Sequence, residues 1–198
     1  MRNGLRTFKI LQAIIAGFCL SIPILLKLAD AGYVGFRPSI SNYVYMKDSY
    51  LFGMLLCMAA MLFIFNATVY YKHEDNYYLN KHGKWYNIVL GVALLGVILF
   101  PHLQYSAIHY TFAGIFFIGN ASVMAFFHRR EDRVISITLS SLVIITLALH
   151  YLGLVSLLIG EWLSLSVIGI HFILQSAGTV SINYLINPNI KAIKKPDF

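Results

Sequence analysis

The residues of this chain whose types could support chemistry are three histidines and a glutamate: His102, His109, His150 and Glu161. Each stands at the edge of a long apolar run. If the runs cross a membrane alternately, all four reach similar depth beneath one headgroup layer, beside Ser41 and Asp48 of an adjoining loop. Imidazole nitrogens with a carboxylate suit zinc or another borderline metal. Metal-bound water could then attack an ester or amide bond at the lipid surface. The set converges by depth alone, since neither HExxH nor CxxC spacing is present. Histidines at membrane interfaces also cap helices, bond loop carbonyls and meet headgroups, and that structural reading carries more weight than the metal site. The pair expected to meet is His109 with Glu161, provided that the fourth and sixth spans pack together.

A second group lies deeper. His171 follows Glu161 in the same run. The separation is about 15 Å along a helix, so the two cannot share one ion. Asn120, His171 and Gln175 are expected to form a mid-membrane hydrogen-bond cluster. We read it as a polar knot that fixes helix register, in preference to a proton relay or a haem ligand. A bis-histidine haem needs two facing imidazoles at equal depth, and the sequence places no second imidazole at the depth of His171. The outer histidines could supply a pair, but nothing marks them as a haem site.

The elements that must position these groups are membrane helices. Of the 198 residues, 59% are hydrophobic and 12% charged. Soluble domains carry roughly 25% charged residues. The spacing predicts an all-α, six-span bundle with short loops, forming a single domain over 1–198. The spans are expected at about 8–28, 50–71, 85–102, 107–127, 134–151 and 156–184. The first resembles a signal peptide followed by Ala29-Asp30-Ala31, but its apolar run is long enough to be retained as a helix. Between spans one and two, a loop rich in Gly, Pro, Ser and Tyr is expected to be partly ordered over the bundle end. Along the last span Glu161, Ser164, Ile168, His171, Gln175, Gly178 and Ile182 fall on one side, which must turn away from lipid. Span five places Ser136, Ser140, Val143 and His150 on one side, with Thr146 at its border. Cys19 and Cys57 both lie within apolar runs and read as packing residues.

Charge sets the orientation. With the N-terminus inside, the inner segments hold Arg2, Arg6, Lys9, Lys72, Lys81, Lys84, Arg129, Arg130, Arg133, Lys191, Lys194 and Lys195. Only Lys27, Arg37 and Lys47 remain outside. This positive-inside bias puts both termini on the cytoplasmic side of a multi-pass protein and explains the basic balance without nucleic acid. Tyrosines and tryptophans near the span ends, among them Tyr50, Trp85, Tyr105 and Trp162, form an interfacial belt.

The segment GFRPSIS, the start of span two at YLFGMLL, and GVALLGVILFPH followed closely by IHYTFAGIFF carry a resemblance. In these the chain resembles the six-span DRAM/Sfk-type family, which includes the FGF-receptor-activating protein. Pro38, Ile40, Ser41 and His109 carry the likeness. Asn42, Tyr43 and Val44 replace that family's usual acid and glycine after the Ile-Ser pair. The resemblance implies a membrane protein tied to lipid handling, lipid-anchor remodelling or organelle membranes. A fainter likeness to seven-span, metal-dependent ceramidase-type hydrolases rests on the outer histidines, without the seventh span or a paired HxxxH.

The expected function is non-catalytic: binding of membrane lipid, of another membrane protein or of a second copy, through the polar seam and the outer cluster. The alternative is a metal-dependent lipid hydrolase with zinc at His102, His109, His150 and Glu161.

Overall fold

A computed structural model describes residues 2–72, 85–128 and 132–177. Among these residues the protein is all-helical. Its elements are α1 (Arg2–Ala29), a short 3-10 turn (Ser41–Tyr45), α2 (Ser49–Lys72), α3 (Tyr86–Leu99), α4 (Ser106–Phe126), α5 (Arg133–Tyr151) and α6 (Leu157–Ala177). Five of the helices are long and apolar enough to cross a membrane. Each also turns bulky apolar residues outward, such as Ile14, Met58, Ile118, Ile144 and Ile170. Apolar surface of that extent on every side suits lipid and not water. This is the architecture of a multi-pass membrane protein.

α3 is shorter than the 85–102 expected from sequence. Pro101 lacks a backbone N–H and disfavours helical geometry at the preceding residue. The helix therefore stops at Leu99, and Phe100 takes φ −118° and ψ 81°. α3 has 14 residues. That length measures about 21 Å, against about 30 Å of hydrocarbon. The last span, expected over 156–184, is helical through Ala177, and Gly178 and Ile182 lie outside the described residues. The linker 73–84 and residues 129–131 of the charged turn also lie outside them.

The helices close into a ring in chain order. Each packs on the next, and α6 returns to α1. Neighbours meet at matched depth, and where two such pairs join them they run antiparallel. On the α1–α6 side, Ser176 Oγ donates to Lys9 O at 2.9 Å, and a Cβ on Gly169 would lie 3.2 Å from Ala16 O. On the α5–α6 side, Thr146 and Ser164 hydroxyls are 2.7 Å apart. Ser140 Oγ donates to Ala121 O at 2.8 Å between α5 and α4. α2 and α3 approach closely at Gly91, where a Cβ would sit 2.7 Å from Ala60 O. The seam of α6 faces the interior: Glu161, Ser164, Ile168, His171 and Gln175 are all buried. The same holds for Ser136, Ser140 and Val143 of α5.

Candidate functional site

Residues 30–48 fold into a cap over one end of the ring. Arg37 organises it. Its guanidinium makes two hydrogen bonds to Asp30, at 2.6 and 3.3 Å, and lies over the rings of Tyr33 and Tyr43 at 4.7 and 5.8 Å. A planar, permanently charged group is suited to pairing and stacking together. Gly35 supplies a positive φ of 82°. An L side chain would resist that conformation. The cap is fastened to α6 by two bonds: Leu158 N–H donates to Pro38 O at 2.9 Å, and Ile40 N–H donates to Glu161 Oε2 at 2.6 Å. Tyr45 joins it to the α3–α4 turn, its hydroxyl accepting Leu103 N–H at 3.1 Å.

Beneath the cap lies a cavity of about 60 Å³, walled by α1, α2, α3, α4 and α6. Its lining is apolar except for Ser41, His109 and Glu161. Cys19 also lines it, a buried thiol among aliphatic neighbours. The hydrogen-bond inventory fixes what the polar groups offer. Ser39 Oγ accepts from Asn42 N at 3.2 Å and from Asn42 Nδ2 at 2.8 Å. Two such bonds fill the acceptor capacity of a hydroxyl. Its own hydrogen is therefore donated to Ser41 Oγ at 3.0 Å, leaving the Ser41 hydroxyl hydrogen for the cavity. His109 Nδ1–H donates to Phe100 O at 2.8 Å. It thereby caps a carbonyl that α3 leaves exposed where Pro101 stops it. With Nδ1 engaged in this way, Nε2 is the ring nitrogen left for another partner. Glu161 uses Oε2 on the cap. Among the described residues, the ion pair is Arg37 with Asp30, and Glu161 has no Lys, Arg or His partner at that range.

The four residues expected around one metal are held apart. His150 Nδ1 bonds Val155 O at 3.2 Å and steadies the α5–α6 turn, where Gly153 takes φ 74°. The His102 ring meets Tyr45 edge-on, at 5.3 Å, and lies 5.6 Å from His109. Burial, and then the His109 charge, push the His102 pKa below its usual value. His109 and Glu161 share the cavity, although α4 and α6 are not among the closely packed helix pairs. Among the described residues, no three His, Cys, Asp or Glu side chains are placed to hold one ion. His109, His150 and Glu161 each serve a loop or helix end instead. Asp48 ends the cap just before α2, where its carbonyl accepts Leu51 N–H at 2.9 Å, and it lies outside the cavity lining.

The deeper cluster also differs from expectation. Gln175 Nε2 lies 3.0 Å from His171 Nδ1, while its Oε1 accepts from Gln12 Nε2 of α1. Asn120 instead donates to Phe116 O of its own helix at 2.8 Å. The partner missed from sequence was Gln12, an isolated amide in an otherwise apolar run. That isolation is the signal that could have found it.

No curated protein and no solved structure matches the chain. A model described as a family of unknown function, DUF7103, matches residues 21–176, so the chain belongs to that family.

Proposed function

We propose that this is a six-span membrane protein with both termini on the side of its basic loops, binding a lipid or similar amphiphile by inserting the end of one apolar chain into the capped cavity of about 60 Å³, without catalysing a reaction on it. The observation that carries the reading is the cavity's composition: apolar walls ending in Ser41, His109 and Glu161 under a folded cap. Ligand sites typically combine an apolar lining with a few convergent polar groups. The antiparallel placement of α3 supports its crossing. A Cβ on Gly96 would meet Phe112, and one on Gly119 would meet Leu90, so α3 and α4 run side by side in opposite directions. The likeness to DRAM/Sfk-type proteins supports it too. Of the positions that carry it, Pro38 and Ile40 fasten the cap, and Ser41 and His109 line the cavity.

The test is native mass spectrometry of protein purified in mild detergent. Wild type should retain one lipid-sized adduct. Ala113→Phe, which fills the cavity from its wall, should fold and lose that adduct. Equal adducts on both proteins, or none on wild type after lipid is supplied, would overturn the reading.

A further inference from the structure

The three even-numbered helices share a pattern that the cavity does not account for. α2, α4 and α6 all start at the cap end and run away from it. On each, a buried phenylalanine is followed one turn later by a buried amide: Phe63 and Asn66, Phe116 and Asn120, Phe172 and Gln175. Spacings of three or four put both residues on one helix face, with the amide further from the cap. The three rings meet. Phe63 lies 5.5 Å from Phe116 and 5.4 Å from Phe172, both edge-to-face. Phe63 and Phe116 also line the capped cavity. The aromatic layer therefore separates Ser41, His109 and Glu161 on one side from the amides on the other.

The amide side is rich in hydrogen-bonding capacity that protein leaves unused. Asn66 is wholly buried, and among the described residues neither its Oδ1 nor its Nδ2 has a protein partner. Gln12 Oε1 and Ser136 Oγ, equally buried on α1 and α5, are also unpartnered. Buried polar groups in folded proteins are satisfied by protein or by ordered water, and these are not satisfied by protein. Asn66, Gln12 and Ser136 come from three separate helices of the ring, as a shared hydrated interior requires. Among the described residues, the buried titratable groups are Cys19, Asp30, Tyr43, His109 and Glu161 on the cap side of the rings and Tyr86 and His171 on the other.

We propose that the ring axis is a gated path for water and the protons it carries, with Phe63, Phe116 and Phe172 as the gate and Asn66, Asn120 and Gln175 as the polar layer behind it. This goes beyond ligand binding in the cavity and does not depend on it. An apolar constriction closes a path by excluding water. Removing the central ring should open it.

The full-length protein is reconstituted in liposomes containing a pH-sensitive dye, and proton entry after an acid pulse is recorded with valinomycin and potassium to clamp the potential. Phe63→Ala should admit protons about tenfold faster than wild type, and adding Asn66→Leu should return the rate to the wild-type level. Folded Phe63→Ala protein with the rate of protein-free liposomes would overturn the proposal. So would a double variant as leaky as Phe63→Ala, or wild type already as leaky. If Phe63→Ala does not fold, cysteine reactivity decides. With Cys19 and Cys57 replaced by Ala, Asn66→Cys should react with a small hydrophilic thiosulfonate; an inert Asn66→Cys would refute the path.

Discussion

Glu161 and Ile40 stand 121 positions apart, yet the α6 carboxylate accepts the Ile40 backbone N–H at 2.6 Å. This bond closes the cap over the cavity and gives a membrane-embedded acid a structural task. Replacing Glu161 with Leu leaves that buried N–H unpaired, at a cost of about 1–3 kcal/mol. Glu161→Gln retains a carbonyl acceptor and should lose less. Thermal unfolding in detergent gives the stabilities. Chymotryptic cleavage after Tyr43, which is buried in the cap, should accelerate in Glu161→Leu if the cap lifts, and an unchanged digestion rate would deny the bond this role.

The Gln12–Gln175 bond joins the first helix to the last and so closes the ring. Coupling between polar side chains in membranes averages about 0.6 kcal/mol and reaches about 1.7 kcal/mol. A double-mutant cycle with Gln12→Leu and Gln175→Leu should return coupling of about 1 kcal/mol. Additive single effects would show that ring closure rests on packing alone.

Glycines should separate sharply by position. A Cβ at Gly91 would collide with the Ala60 backbone carbonyl. Gly91→Ala must therefore push α2 from α3 and cost about 1–3 kcal/mol. Gly17 has no neighbour close to the same position. Gly17→Ala should stabilise by up to about 1 kcal/mol through helix propensity. Melting temperatures of the two variants provide the comparison.

His102 makes stability depend on pH. Its folded pKa is depressed, first by burial and then by His109, and its Nδ1 is buried without a partner. The unfolded chain therefore takes up the proton more readily. The contribution is complete above the unfolded pKa of about 6.5 and is lost as pH falls below it. His128 shifts in the same direction, by burial and then by the charge of Arg133, against the opposing pull of Asp132. Thermal stability should fall between about pH 7.5 and 5.5, and His102→Asn should flatten part of that fall while His128 supplies the rest.

What could be read from the chain divides along a physical line. Helical periodicity and hydrophobic length are local, so the helices were legible, and the buried side of α6 followed because an acid, an imidazole and an amide cannot face lipid. Pro101 marked the end of α3, and the helix stops two residues before it, at Leu99. Contacts over long separations were out of reach. Nothing local in GFRPSIS shows that Ile40 will meet Glu161, or that Arg37 will stack on two tyrosines. Equal depth was also too weak a criterion for a metal site. His102, His109 and His150 do lie near one end of the ring, but each imidazole is committed to a neighbouring carbonyl or ring, a choice made by loop geometry.

Sidedness tests the whole account most directly. In a background with Ala for Cys19 and Cys57, single cysteines replace Asp48 in the cap and Asp132 before α5, and a membrane-impermeant maleimide is applied to oriented vesicles. If α3 crosses despite its 14 residues, the two positions react from opposite sides. Labelling of both from the same side would mean that only the five long helices span, and would contradict the six-helix ring as a membrane structure.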